Sequence, residues 1–231
     1  MTEDILVRLR QSLPGLRPSE QRIARAALAN PAVISGLSIT ELAARNEIST
    51  ATVARFCRNT GFDGYKSFCL ALARAAANET GRRVEFGVSD GDIDPADSTA
   101  EVVRKLAFQE ARTVEETAAT LDLGQLERVV DAITAAPVVD LYGSAGSGLA
   151  ALDLQQKLRR IGYQANAWTD AHLALTSAAV LPADAVAIAF SHSGETEEAI
   201  SALETAARSG ALTVAVTNFP ESPLAQVADA V

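Results

Sequence analysis

Residues 37–61 have the sequence LSITELAARNEISTATVARFCRNTG, which contains two helix starts in close succession. Ser38 is a favoured N-cap residue, and Glu41 follows it at the spacing of a capping box. Ser49 is a second N-cap residue, and Ile48 before it can pack against the new helix as a hydrophobic staple. These signals predict two short helices joined by a tight turn, the arrangement of a helix-turn-helix.

The second helix of this segment has one apolar face and one polar face. Val53, Phe56 and Cys57 share a face at helical spacing and are predicted to be buried, and Gly61 is predicted to end the helix. In a helix-turn-helix the second helix enters the major groove, with its N-terminal residues at the base edges. The predicted DNA-contacting residues are Arg45, Ser49, Thr50, Thr52, Arg55, Arg58 and Lys66.

Different side chains of this set suit different parts of the DNA. Arg55 can hydrogen-bond a guanine, and Thr50 or Thr52 can meet a phosphate or a thymine methyl group. The residues that suit backbone phosphates are Arg45, Arg58 and Lys66. Two alternatives remain open: these are ordinary solvated positions of a small helical bundle, or the module binds a protein instead of DNA.

The charge of the chain is divided unevenly along its length. Residues 1–77 carry ten Lys and Arg against six Asp and Glu, whereas residues 78–231 carry ten against twenty-three. The formal net charge of −9 therefore hides a basic N-terminal part, which can attract phosphates locally. This distribution favours DNA over protein as the partner of the first domain.

From residue 137 onward the pattern becomes strand, small-residue turn and helix in repetition. The predicted strands are residues 138–142, 185–190 and 212–217, with a shorter one at 164–168. Near-continuous apolar runs of this kind suit parallel strands that helices cover on both faces.

The expected fold class is an all-α helix-turn-helix N-terminal domain followed by a doubly wound parallel α/β domain. Residues 1–77 are assigned to the helical domain and residues 98–231 to the α/β domain. Residues 78–97 are predicted to be a linker, because they hold several glycines and acidic residues with little apolar content.

Two loops of small residues follow predicted strands of the α/β domain. Residues 143–148 are Gly-Ser-Ala-Gly-Ser-Gly, and residues 191–196 are Ser-His-Ser-Gly-Glu-Thr. Each precedes a helical stretch at the carboxyl end of a strand, where backbone N–H groups cradle phosphates and where open α/β sheets bind ligands. Close packing or helix capping also explains either loop alone, but three hydroxyls in the second loop exceed what one cap needs.

Other classes of site are not indicated. The acidic N-terminus lacks the features of a signal peptide and no apolar run can span a bilayer, so a cytoplasmic protein without a membrane partner is expected. Cys57 and Cys69 lack CxxC spacing, so neither a metal site nor a disulfide is predicted, and no cofactor is implied.

These motifs together resemble the RpiR-type (MurR/RpiR) transcriptional regulators, which join a helix-turn-helix to a sugar isomerase (SIS) domain. The resemblance implies a regulator of carbohydrate metabolism with three partners: a double-stranded DNA operator, a sugar phosphate effector that alters operator affinity, and a second copy in a homodimer or higher homo-oligomer. It rests on residues 39–43, 49–61, 65–68, 143–148, 191–196, 217–218, 222–225 and 228–229. The residues expected to bind the phosphosugar are Ser144, Gly146, Ser147, Ser191, His192, Ser193, Gly194 and Thr196.

The chain departs from the family pattern in two places. Ala145 stands where the first loop commonly has a second glycine, which is expected to alter the phosphate contact. Val231 is the last residue, where a further strand and helix are expected, so the SIS domain is predicted to be truncated at its C-terminal end.

A phosphosugar isomerase-like enzyme is the alternative function. Such chemistry needs an acid or base within about 3 Å of the transferred proton, and the candidates are Glu195, His192 and His172. A carboxylate at a helix start, such as Glu195, is favourable for electrostatic reasons alone. No catalytic residue is therefore assigned, and the protein is predicted not to be an enzyme.

Overall fold

The structure, a computed structural model, describes residues 4–89 and 92–231. The chain divides into two compact units, Met1–Leu121 and Asp122–Val231, which are described separately. Among the described residues, the helices are too short or too polar to cross a membrane.

The N-terminal unit is all-α, as the sequence predicts. A 3₁₀ turn at Leu13–Gly15 follows its first helix. The first six helices share one hydrophobic core, in which the ring of Phe68 is fully buried. Phe56 and Phe62 meet that ring edge to face, with centroids 5.5 and 5.6 Å away. The helices are α1 (Ile5–Ser12), α2 (Pro18–Ala29), α3 (Pro31–Ser35), α4 (Ile39–Arg45), α5 (Thr50–Asn59), α6 (Tyr65–Phe86) and α7 (Thr99–Thr120).

Both helix starts of residues 37–61 are confirmed. Ser38 Oγ accepts from the backbone N–H of Glu41 at 3.2 Å, and the Glu41 carboxylate accepts from the backbone N–H of Ser38 at 2.7 Å. These bonds hold the pKa of Glu41 below its ordinary value. Ser49 Oγ caps α5 through the backbone N–H of Thr52 at 3.1 Å. Local hydrogen bonds thus set where α4 and α5 begin.

The linker assignment needs correction at its N-terminal end. Residues 78–86 continue α6, which ends at Gly87 in the left-handed conformation with φ +64°. The helix extends because its last turns are packed: Phe86 meets Phe108 of α7 edge to face at 5.7 Å, and Glu79 pairs with Arg83 and Arg112. Asp90 and Gly91, in the middle of the predicted linker, lie outside the described residues.

Helix α7 clusters with the N-terminal helices, although the sequence places it in the α/β domain. Glu116 of α7 accepts from Arg10 of α1, and Arg82 of α6 pairs with Glu115 of α7 at 2.6 Å. These ion pairs between distant parts of the chain explain why the compact unit ends at Leu121 and not at residue 97.

The C-terminal unit is a parallel α/β sheet, as predicted. Its four strands lie in the order β2-β1-β3-β4, and each neighbouring pair is parallel. The predicted strand at 164–168 is β2, at one edge of this sheet. The elements in chain order are α8 (Leu123–Ala135), β1 (Val139–Tyr142), α9 (Ala145–Arg160), β2 (Ala165–Trp168), α10 (Ala171–Ala179), β3 (Val186–Phe190), α11 (Glu197–Arg208), β4 (Leu212–Val216) and α12 (Pro223–Gln226).

One buried charge interrupts the apolar run of β1. Asp140 is fully buried and accepts hydrogen bonds from Trp168 Nε1 at 2.8 Å and from Asn166 Nδ2 at 3.1 Å, both on β2. Ser177 of α10 and the hydroxyl of Tyr142 also donate to this carboxylate. Through these hydrogen bonds the buried carboxylate joins β1, β2 and α10.

Candidate functional site

In the N-terminal unit, α5 follows α4 after a short turn; α5 is the second helix of the predicted helix-turn-helix, and we call it the recognition helix for that reason. Backbone N–H of Ile48 donates to the carbonyl of Ala43 at 3.0 Å, which closes the turn. Glu47 in this turn has φ +54°, a left-handed conformation that is unusual for a residue with a side chain. Val53, Phe56 and Cys57 are fully buried, as predicted, so the opposite side of the recognition helix faces outward.

The predicted DNA-contacting residues differ in how far they are available. Thr52 is half-buried and its hydroxyl lies 3.0 Å from Ser49 Oγ, so both hydroxyls take part in the helix cap. Arg55 is half-buried as well. The exposed members of the set are Arg45, Ser49, Thr50, Arg58 and Lys66.

Sequence reasoning missed one residue beneath the recognition helix. Glu20 of α2 is 2% exposed, and its Oε1 accepts from Arg55 Nε at 3.2 Å and from Asn59 Nδ2 at 3.0 Å. Glu20 is 35 residues away from Arg55 in the chain, so no local pattern signals this contact.

Burial affects the thiols of both cysteines of the N-terminal unit. Burial raises the pKa of Cys57 to about 11, so its thiol is protonated and weakly nucleophilic at neutral pH. The pKa of Cys69 is also raised, chiefly by burial.

The C-terminal unit has a cavity of about 610 Å³ at the carboxyl ends of β1, β3 and β4, which we call the strand-end cavity. Seven of the eight residues predicted to bind a phosphosugar line it, and Gly194 is the exception. The lining residues are Ser144, Ala145, Gly146, Ser147, Ala150, Phe190, Ser191, His192, Ser193, Thr196, Val216, Thr217 and Asn218.

The first loop of the cavity depends on a close approach between backbones. A Cβ atom built on Gly143 would lie 2.7 Å from the carbonyl oxygen of Ser147, so the loop folds against the start of α9 only with glycine at this position. Ala145 has φ +48°, a conformation in which glycine is unstrained. The position where the sequence departs from the family is therefore the strained one.

The second loop is held by its own hydroxyls. Ser191 Oγ accepts from the backbone N–H of Gly194 at 3.0 Å and lies 2.8 Å from Thr196 Oγ1. Ser193 Oγ accepts from the backbone N–H of Glu195 at 3.2 Å. Ser191 is 2% exposed, so its hydroxyl mainly shapes the loop, whereas Ser193 and Thr196 are more accessible.

Gly194 packs closely against the start of α12. It has φ +67°, and a Cβ atom at this position would lie 2.0 Å from Ser222 Oγ. Its backbone carbonyl accepts from the N–H of Leu224 at 2.9 Å, which attaches the loop to α12. Gly194 therefore shapes the second loop, and its contact with a ligand stays a prediction.

Thr217 and Asn218 line the cavity but were not among the predicted site residues. The backbone N–H of Asn218 donates to the carbonyl of His192 at 3.2 Å, which joins the end of β4 to the second loop. The rule that identified the first two loops, position at the carboxyl end of a parallel strand, also applies to these residues.

The lining has the chemistry of an anion site. It offers hydroxyl and amide groups beside the first turns of α9 and α11, whose N–H groups favour negative charge. Within the described part of the chain, His192 is the one ionisable side chain of the lining, and its ring packs edge to face against Phe219 at 6.2 Å. Glu195 and His172 are exposed and lie outside the lining.

Comparison with known proteins agrees with both units. Residues 3–79 match the family model of the rpiR-family helix-turn-helix domain, and residues 132–231 match that of the SIS domain. The chain is 36% identical to an uncharacterized HTH-type transcriptional regulator of Caldanaerobacter subterraneus subsp. tengcongensis and 35% identical to one of Haemophilus influenzae. Each match covers 98% of this chain and 78% of the relative.

A solved structure is similar over the same extent. The Vibrio vulnificus NanR protein complexed with ManNAc-6P has 28% identity and a TM-score of 0.55, covering 98% of this chain and 78% of that one. The capped helix-turn-helix and the strand-end cavity agree with what these relatives show. The chain belongs to the RpiR family of HTH-type transcriptional regulators, with a SIS domain as its C-terminal unit.

Proposed function

We propose that the protein binds an operator through the recognition helix and that a sugar phosphate in the strand-end cavity changes its affinity for that operator. The observation that carries the proposal is the convergence of hydroxyl groups and two helix N-termini on one cavity of about 610 Å³. That volume is within the range of small-molecule sites.

A phosphate suits the cavity better than a neutral or cationic ligand. Ser144, Ser147, Ser193 and Thr196 can donate to phosphate oxygens, and the start of α9 and α11 adds backbone donors. Within the described residues the lining holds no carboxylate that would repel an anion. The remaining lining residues, such as Asn218, would then contact the sugar.

The relative in complex with ManNAc-6P makes phosphorylated acyl-amino sugars the first class to test. The second class to test is hexose and pentose phosphates, because side chains from several loops set the preference for one sugar.

Binding without turnover is part of the proposal. Catalysis of isomerisation needs an acid or base within about 3 Å of the transferred proton. Glu195 is exposed outside the cavity lining, and its position near the start of α11 has an electrostatic explanation. Of the three candidates, only His192 lines the cavity, so the isomerase-like alternative depends on this one side chain.

A thermal-shift screen of the purified protein against these sugar phosphates tests the ligand proposal. A true effector at about one hundred times its Kd should raise the Tm by about 5 °C or more. Ser193→Ala should weaken this shift, whereas Ser201→Ala, a serine of α11 outside the lining, should leave it unchanged. The absence of a shift with every sugar phosphate would contradict the proposal.

The DNA part is tested by selecting duplexes from a randomised pool with the purified protein. We propose that it acts as a homodimer or higher homo-oligomer. The selected sequences should then contain two related half-sites that are separated by roughly 34 Å, which is one helical turn, or by a multiple of that distance. Light scattering gives the oligomeric state independently. The effector found by thermal shift should then change the measured affinity for the selected duplex.

A further inference from the structure

A buried carboxylate of α2 contacts the recognition helix. Glu20 is 2% exposed, and its oxygens accept from Arg55 Nε at 3.2 Å, from Asn59 Nδ2 at 3.0 Å and from the backbone N–H of Arg17 at 3.3 Å. Two of these three donors belong to the recognition helix. Glu20 is therefore attached to the polar face of α5 and not to its apolar core.

A charge at this position is costly for stability alone. A carboxylate removed from water loses its hydration, and a well-packed apolar residue often stabilises a protein as much or more. The three hydrogen bonds offset this cost, and they also fix the positions of the donor groups. The contact therefore has a consequence for the side chains of the recognition helix.

Arg55 is held through one of its three side-chain nitrogens. Its side chain is 41% exposed, and the bond to Glu20 uses Nε. In residues 4–89 and 92–231, Nη1 and Nη2 of Arg55 have no hydrogen-bond partner. These two atoms form the planar fork that matches O6 and N7 of guanine.

We infer that Glu20 is a positioning residue for sequence recognition, which holds Arg55 so that its Nη fork faces a guanine and not a backbone phosphate. This inference rests on the proposed DNA-binding function. Glu20 neutralises part of the charge of Arg55, so Arg55 is a weaker phosphate contact. Glu20 also restricts the rotamers of Arg55, so Arg55 is a better base contact. Phosphate binding is left to exposed cations such as Arg58 and Lys66.

The test compares Glu20→Gln with the wild type on two duplexes of equal length, one selected from a randomised pool by the wild type and one unselected. The amide keeps the size of the side chain but loses the charge that holds Arg55. The ratio of the two affinities should fall about tenfold, the scale of one lost arginine–guanine contact. Affinity for the unselected duplex should rise, and its log-log salt slope should steepen by about 0.9 as Arg55 becomes free for a phosphate.

These opposite changes separate positioning from simple stability. A merely structural role would lower both affinities together, by reducing the folded fraction, and would overturn the inference. The matched control is Glu41→Gln, which removes the same charge from the first turn of α4 without a bond to α5, and which should keep the affinity ratio. In an Arg55→Ala background, Glu20→Gln should cause no further loss of selectivity.

A second variant covers the case in which Glu20→Gln does not fold. Arg55→Lys keeps the positive charge but lacks the fork, so it should lose selectivity while it retains affinity for the unselected duplex. If the wild type enriches no sequence, the proposed function itself fails. If it does enrich a sequence and these variants keep the full affinity ratio, only the role of Glu20 is overturned.

Discussion

Glu47 is a residue whose backbone conformation conflicts with its side chain. It lies in the turn between α4 and α5 with φ +54°, where the Cβ atom is crowded. We expect Glu47→Gly to raise the free energy of unfolding by about 1 kcal/mol, since left-handed conformations cost other residues roughly 1–2 kcal/mol. Urea denaturation measures the change. Glu47→Ala is the control, because it keeps the Cβ atom, and an equal gain there would show that strain is not the cause.

Gly194 is the opposite case to Glu47, because its left-handed backbone conformation is already occupied by glycine, the residue that suits it. Gly194→Ala would combine φ +67° with a Cβ atom 2.0 Å from Ser222 Oγ. We expect a loss of about 2–4 kcal/mol in the free energy of unfolding, the sum of strain and overpacking. Gly146→Ala, in the other loop, meets nothing within 4 Å and should cause little or no loss. Chemical denaturation of both variants decides between a local steric cause and a general intolerance of alanine.

At the scale of elements, two helices with different roles each begin at a serine N-cap. Ser49 caps the recognition helix and Ser98 caps α7, each through an N–H of the first turn. Ser49→Ala and Ser98→Ala should each cost about 1 kcal/mol of stability. Only Ser49→Ala should also weaken binding to the selected duplex, because it loosens the end of the helix that meets DNA. Equal effects on DNA affinity, measured by anisotropy at matched folded fractions, would argue against this placement of α5.

The two loops of the strand-end cavity are a second pair of elements with a shared device. Each enters a helix immediately after a buried strand, and the close approach at Gly143 and the hydroxyl pair of Ser191 and Thr196 fix their shapes. In the same sheet, the buried Asp140 carboxylate ties β1 and β2 to α10. In the proposed function, a loop shape that is fixed before binding would lower the entropic cost of ligand capture.

For the whole molecule, the separation of charge predicts how DNA affinity responds to salt. Residues 1–77 hold an excess of basic residues, and residues 78–231 hold a large excess of acidic ones. The logarithm of the binding constant should fall linearly with the logarithm of salt concentration, with a slope near −0.9 for each neutralised phosphate. Arg58→Ala and Lys66→Ala should each flatten that slope by about 0.9.

Lys157→Ala is the control for this salt experiment. Lys157 is an exposed cation of α9 that pairs with Asp153 at 2.6 Å, and it belongs to the acidic C-terminal unit. Its removal should leave the slope unchanged. A slope that changes equally for all three variants would mean that DNA responds to total charge and not to the helix-turn-helix.

Local signals were enough to predict much of this protein from its sequence. The caps at Ser38 and Ser49 define their helices through bonds to residues three positions away, and apolar runs define the buried parallel strands. The two loops could be placed together because parallel strands bring their carboxyl ends to one edge. The family followed from the combination of these motifs.

Only the tertiary structure decided the features that depend on distant partners. Glu20 contacts α5 from α2, and Asp140 accepts from donors of β2 and α10. The ion pairs of Glu79 and the packing of Phe86 accompany a helix at residues 78–86, where composition indicated a linker. The physical reason is that a buried charge is stable only where its donors converge, and convergence depends on packing between elements. Helix caps and strand periodicity are set by neighbours in sequence, whereas these contacts are set by neighbours in space.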